Sequence, residues 1–472
     1  MQKTCFAALL WTAIACAQPQ GGNSVVSPEV LPDRHVTFRI FAPKATDVAF
    51  YADWKPVGTS EKMTKDDGGV WSITTGPVDP GIYIYNFIVD GMTIADPVNP
   101  RMKLRARTSA SLLEVPGTPA ALWEARDVPH GTVEINYEKA KALNGETRWI
   151  WVYTPPGYDR DTNRRYPVLY LFHGSNDTAG GWVLAGGANF ILDNLIAAKT
   201  AVPMIVVMPF GHAVPFGAPR EQQAKNTSLF DEYLRSDVLP LVESKYRIQP
   251  GRENRAIAGL SMGGGQSLTI GFSHLDLFSA VGAFSAAVPA DFETRFGDAL
   301  KDPAGTNQKL KLLWIGCGRQ DGLFERSQKL SEMLDAHQIR NTFRASEGAH
   351  TYTVWRMYLG EFVPLLFRPP ATQADWRISM EPEGKVRCNY PAQVKIKVKD
   401  ATAAVVDGAN VDVVLSMPGM DHGEFTTVAQ AAQDGVYQAK PTFYMVGKWN
   451  VAVRVTKGNL QRIENFSYDV KE

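Results

Sequence analysis

The chain has 472 residues, more than one hydrophobic core ordinarily organises, so roughly two to four domains are expected. Its hydrophobic share of 44% and charged share of 21% are those of a folded globular protein and exclude wholesale disorder. Lys plus Arg and Asp plus Glu balance at 49 each, with no basic run, which leaves no field to draw nucleic acid or an anionic membrane.

Residues 1–17 read as an export signal, with Lys3 as a thin positive region, an apolar run from Phe6 to Ile14, and small residues around Cys16 for cleavage. Ala13-Ile14-Ala15-Cys16 also has the look of a lipidation site, with Cys16 as a lipoprotein anchor. Either reading places the mature chain in a secreted or periplasmic location. No other apolar run approaches the ~20 residues of a membrane span. Outside the signal only Cys317 and Cys388 remain, in segments that read as different domains, so no disulfide framework is indicated. Cys317 ends an apolar strand and reads as a small buried hydrophobe.

Residues 24–116 read as all-β. Val36, Phe38 and Ile40 alternate with polar neighbours, Val48–Tyr51 and Val70–Ile73 are short strands, and Gly81–Val89 runs into the turn Asp90-Gly91. This spacing predicts an immunoglobulin-like sandwich. From 120 to 368 strands alternate with helical stretches, the pattern of an α/β domain with a mostly parallel sheet. Strands are predicted at Arg148–Tyr153, Val168–Phe172, Met204–Met208, Arg255–Gly259 and Leu312–Cys317, and a helical pattern runs from Leu229 to Tyr246. Arg368-Pro369-Pro370 opens a linker, and 378–472 is β-rich again, with strict alternation in Val394–Val398.

The chemistry concentrates in the middle segment. Gly259-Leu260-Ser261-Met262-Gly263 is a G-x-S-x-G sequence between an apolar strand and a helix predicted over Gly264–Phe272, the setting of a nucleophile elbow. A serine hydroxyl needs a base, and the base an orienting carboxylate. In α/β-hydrolases these follow in the order serine, acid, histidine. Asp321 closes the loop after the strand Leu312–Cys317 and is preferred to Asp335, which falls within a helical pattern. Of the later histidines, His274 lies too near the elbow and His337 shares a helix with Asp335. His350 sits in a loop before a helix beginning at Tyr352. Catalytic Ser261, Asp321 and His350 need no cofactor. The oxyanion hole is expected from the backbone N–H of Met262 and from Gly174 or Ser175, with His173 structural. Trp182, Phe210 and His212, each just past a strand end, are candidate pocket walls.

These residues carry a resemblance. Tyr166-Pro167-Val168-Leu169-Tyr170-Leu171-Phe172-His173-Gly174, the elbow with Gly264, and Gly348-Ala349-His350-Thr351 resemble the esterase D family, which includes feruloyl and acetylxylan esterases and is similar to enterochelin esterases. The resemblance implies an α/β-hydrolase fold and the same triad. Phe41-Ala42-Pro43-Lys44-Ala45, Gly81-Ile82-Tyr83 and Asp96-Pro97-Val98-Asn99-Pro100 resemble early-set carbohydrate-binding modules. Trp54 and Trp71 are there either core aromatics or platforms for sugar rings. Ser416-Met417-Pro418-Gly419-Met420-Asp421-His422-Gly423 is similar to a segment of YtkA-like and FixH-like β-sandwiches, some linked to copper. Met417, Met420 and His422 are soft enough for copper(I), or the segment is a structural loop. The function these features imply is hydrolysis of a small-molecule or polysaccharide-linked ester, feruloyl or acetyl. A siderophore esterase and an acyl-transfer or binding scaffold are the alternatives.

Overall fold

The computed structural model describes residues 25–56, 58–368, 372–417, 425–432, 434–458 and 460–471. The expected signal and Cys16 lie outside them. The chain divides into two compact units after Phe367.

The centre of the first unit is a sheet of β1 (Thr132–Ala140), β2 (Glu146–Thr154), β3 (Val168–Phe172), β4 (Ile205–Pro209), β5 (Arg255–Leu260), β6 (Ala280–Phe284), β7 (Leu312–Gly318) and β8 (Thr342–Ser346). Their order is β1-β2-β4-β3-β5-β6-β7-β8. β2 is antiparallel to both neighbours, and all pairs from β4 to β8 are parallel. β3, β4 and β6 are buried at every position, which is why they are continuous apolar runs rather than alternating ones. Tyr170, Ile257 and Val281 join one core, while Leu169, Ala256 and Ala280 join the other, on the opposite face. Two helices border the strand-end loops that carry the candidate site: α1 (Met262–Ser273), after β5, and α2 (Tyr352–Phe362), after β8. The helical pattern over 229–246 is an uninterrupted helical run from Asn226 to Lys245, α-helical over Asn226–Tyr233 and Leu239–Lys245 with a π turn at Leu234–Val238 between them.

Before β1, two antiparallel sheets enclose one core. One contains Val36–Phe41 and Val70–Thr75, the other Val48–Ala52, Gly81–Val89 and Ala110–Val115. Phe38, Phe50 and Tyr85 meet between them, with ring centroids 4.3 Å (Phe38–Phe50) and 4.7 Å (Phe38–Tyr85) apart. Trp71 is 8% exposed and donates its indole N–H to Ala42 O, and Trp54 packs against the same core. Trp71 therefore cannot serve as a sugar platform, because burial in a small two-sheet core uses its faces. Gly81–Phe87 is buried on both faces. Tyr83, Tyr85 and Phe87 point into this core, while Ile82 and Ile84 belong to a core shared with Trp151, Leu169 and Trp182.

Polar groups cross the same boundary. Arg356 of α2, 0% exposed, donates to Ala185 O at 2.6 Å and to Ile82 O at 2.7 Å. Asp53 accepts the Ile84 N–H at 3.0 Å, and its burial raises the carboxyl to about 6 against the N–H bond and the Arg356 charge. The folded pKa lies above the unfolded one, so this group's contribution is fully present below about pH 4 and is lost as pH rises through about 6. The loss is roughly 2–3 kcal/mol. In Asp53→Asn that dependence should vanish: urea midpoints of variant and parent, followed from about pH 4 to about pH 7, should shift in the variant's favour as pH rises. Parallel curves would show that Asp53 does not titrate there.

In the second unit, Arg377–Pro382, Val394–Lys399 and Val436–Ala439 form one sheet with a short fourth strand, and Asn410–Ser416, Gly447–Lys457 and Leu460–Val470 lie in another. Val394, Ile396 and Val398 are buried and the intervening lysines exposed. Trp449, 0% exposed, sits in the core these sheets share.

Candidate active site

β5 ends at Leu260 and α1 begins at Met262, so Ser261 alone makes the turn. It does so at φ 52°, ψ −114°, a conformation costly for any residue with a Cβ. The turn is held on both sides: Ser261 N–H donates to Phe284 O at 2.8 Å, and Ser261 O accepts from Ala287 N–H at 2.9 Å and Gly265 N–H at 3.0 Å. The side chain is thereby presented at the N-terminus of a twelve-residue helix, whose dipole favours negative charge.

Asp321 and His350 come from the loops after β7 and β8. Asp321 Oδ2 is 2.7 Å from His350 Nδ1, with the Asp321 side chain 1% exposed. Burial pushes the Asp321 carboxyl up. Hydrogen bonds from His350, the Leu323 N–H and the Ser285 hydroxyl, with the imidazole's charge, outweigh it and leave the carboxyl below its ordinary value. Trp355 stands edge-on to the His350 ring at 4.8 Å and donates its indole N–H to Ser285 Oγ at 3.0 Å. The rival groups are engaged elsewhere: Asp335 accepts from Asn341, His337 lies by Glu293, and His274 lies by Asp231.

The loop after β3 packs on the elbow. A Cβ placed on Gly174 would fall 2.6 Å from Leu260 Cδ1 and 3.3 Å from Ser261 Cβ, so glycine permits this approach. His173, 1% exposed, accepts the Gly211 N–H at Nε2 (2.8 Å), which puts its proton on Nδ1, 2.8 Å from Gly174 O. Burial lowers its pKa and keeps the ring neutral. The Gly174 carbonyl is thus turned toward His173, and in the trans peptide the Ser175 N–H points the other way.

The expected pocket walls need correction. Trp182 is 0% exposed, donates to Phe172 O at 2.9 Å and belongs to the core. His212 is 2% exposed, between His173 and Phe216 at 5.5 Å from each, and burial lowers its pKa to about 4. Phe210 is partly buried, stacked on His173 at 5.5 Å beneath the Arg148 guanidinium. Position after a strand fixes where the backbone is, not which way the side chain turns. Of the copper candidates, Met420 and His422 lie outside the described residues, and Met417 packs partly buried against the second unit's core. Among the described residues no cluster of three His, Cys, Asp or Glu side chains could hold a metal, and the copper reading gains no support.

Sequence reasoning passes over Ser285, Trp355, Asp177 and Tyr352. Ser285 follows β6, whose small residues Ala280-Val281-Gly282-Ala283 carry little strand signal. A serine closing such a run is the available clue.

Residues 140–365 match the model of the putative esterase family, and residues 371–454 match that of the YtkA-like family. An endo-1,4-β-xylanase/feruloyl esterase of Xylanibacter ruminicola is 30% identical over 349 residues, 72% of this chain and 46% of that protein. The acetyl esterase of Caldicellulosiruptor saccharolyticus is 23% identical over 223 residues, 41% of this chain and 80% of its own. The chain spans about half the length of the first curated relatives it matches. The solved enterobactin esterase of Shigella flexneri shares the fold, with a TM-score of 0.53 at 20% identity over 71% of this chain and 93% of that one. That span is wider than the esterase match alone. Over these two stretches the chain resembles the putative esterase family and the YtkA-like family.

Proposed function

We propose that this chain is a serine carboxylic-ester hydrolase, exported, acting on feruloyl or acetyl esters of plant polysaccharide. The observations that support the chemistry are the Asp321–His350 hydrogen bond of 2.7 Å, on adjacent strand-end loops, and the strained elbow that Ser261 makes at the end of β5. In this reading His350 Nε2 takes the Ser261 proton as Oγ attacks the ester carbon. Asp321 holds the Nδ1 proton and stabilises the imidazolium. The oxyanion is received by the N–H groups of Met262 and Ser175. Collapse breaks the C–O bond, the alcohol leaves with the proton from His350, and water repeats the cycle on the acyl-serine. The substrate class follows from likeness to proteins named feruloyl and acetyl esterases. The flanking β-rich segments we read as immunoglobulin-like modules bounded near 24–116 and 378–472, around an esterase domain of 120–368.

The test is turnover on p-nitrophenyl acetate, methyl ferulate, feruloylated and acetylated xylo-oligosaccharides, and a catecholate trilactone. Cleavage of the aryl and xylan esters is expected. Activity on the trilactone alone would move the assignment to siderophore esters, and transfer to an added alcohol without hydrolysis would make it an acyltransferase.

A further inference from the structure

The N-terminal β segment delivers one charge to the neighbourhood of the candidate site. Lys103 lies on the short strand Met102–Lys103, with its side chain 9% exposed. Its Nζ is 3.1 Å from Asp177 Oδ2, on a side chain 3% exposed. Asp177 stands three residues beyond Gly174 in the loop after β3. The same Oδ2 accepts the Tyr352 hydroxyl at 2.8 Å, and Oδ1 accepts the Thr178 N–H at 2.8 Å. Tyr352 opens α2, two residues after His350. Lys103 Nζ also lies over its ring at 5.0 Å. Tyr352 in turn packs edge-on against Trp355 at 5.1 Å, the residue set against the His350 ring.

One buried carboxylate therefore ties the 173–177 loop to the first turn after His350, and its countercharge comes from the separate β segment that precedes β1. Stability alone is a poor account of it. Desolvating two charges offsets most of their attraction, and well-packed apolar residues do as well or better in such places. What a buried ion pair with hydrogen-bonded lone pairs supplies is a fixed geometry. We infer that Lys103 is a positioning residue for ester cleavage, acting through Asp177 to set the loop that carries Ser175 N–H and the turn that carries His350. This rests on Ser261 and His350 being the nucleophile and its base.

The experiment uses the full chain, p-nitrophenyl acetate, and titration of the nucleophile with a fluorophosphonate, so that kcat is counted per reactive serine. Lys103→Met is expected to lower kcat about 10- to 100-fold with KM within about threefold, since misplacing reacting groups by an ångström has that effect. Lys103→Arg should keep most of the rate. Lys103→Met combined with Asp177→Asn, which removes the stranded charge but keeps an acceptor for Tyr352, should recover much of it. If Lys103→Met fails to fold, Tyr352→Phe gives the same kcat-against-KM reading, with a loss of about 10-fold expected from breaking the tie alone. Unchanged kcat per titrated serine in Lys103→Met or Tyr352→Phe, or a rise in KM alone, overturns the inference. Absence of fluorophosphonate labelling in the parent would instead overturn the serine mechanism.

Discussion

Ser261→Ala is expected to lower kcat on every ester the parent cleaves by roughly 10⁴- to 10⁶-fold, with the thermal midpoint nearly unchanged. The size follows from what is removed. Without the hydroxyl no acyl-enzyme forms, and only binding and the oxyanion donors remain to accelerate attack by water. The constancy of the fold follows from what is kept. Alanine has the same Cβ as serine, so the strain at φ 52° is carried equally by both proteins. The backbone bonds to Phe284, Gly265 and Ala287 are untouched. Initial rates at saturating ester, beside a melting curve, check both halves. Retention of more than about 1% of the parent turnover, by protein free of contaminating esterase, would exclude Ser261 as nucleophile.

Gly263→Ala should fail in the opposite manner, through structure first. A Cβ there would stand 2.5 Å from His173 O and 2.7 Å from Phe172 O, inside any permissible contact. Both obstacles are backbone atoms, so no rotamer change relieves them. Phe172 ends β3, which is paired to β4 on one side and β5 on the other and cannot yield without breaking the sheet. The relief available is displacement of α1 or of the 173–175 loop, and either moves a proposed oxyanion donor. Destabilisation of at least about 3 kcal/mol is expected, and whatever folds should turn over ester about 100-fold more slowly than the parent. Gly297→Ala, where an added Cβ meets nothing within 4 Å, is the matched control and should be close to neutral. Urea midpoints and turnover rates for the pair decide it, and a Gly263→Ala protein within about 1 kcal/mol of the parent would show that the elbow is looser than these distances state.

The contrast between these two sites and the pocket residues marks what the chain discloses before folding. The Gly259–Gly263 motif, the apolar strand before it and the helix after it are local, so their periodicity is readable and the turn follows. β6 is not readable: Gly282 is small because Phe362 of α2 packs against it, a Cβ there falling 2.8 Å from the Phe362 ring, which only the assembled sheet explains. β1 alternates weakly as an edge strand, with Ile135 45% and Tyr137 69% exposed. Trp182 has the position of a cleft residue because it follows a strand, yet its indole turns back to Phe172 O. Ser285 and Lys103 act on groups far away in sequence, and no spacing rule predicts the pairing of Lys103 with Asp177.

The strand Gly81–Val89 has a consequence for how such a protein is assembled by recombination. With Ile82 and Ile84 embedded in the core of the α/β layer, and Arg356 reaching across to the Ile82 carbonyl, the early β segment is not cargo that can be exchanged freely. A replacement inherited from another gene would have to present the same apolar pair at the same register, with a free carbonyl between them. The unit on which selection and protein engineering act is thus larger than the stretch that matches the esterase family, and a cut made at its edge would uncover a wet face of Trp151 and Leu169 where the chain has built an interior.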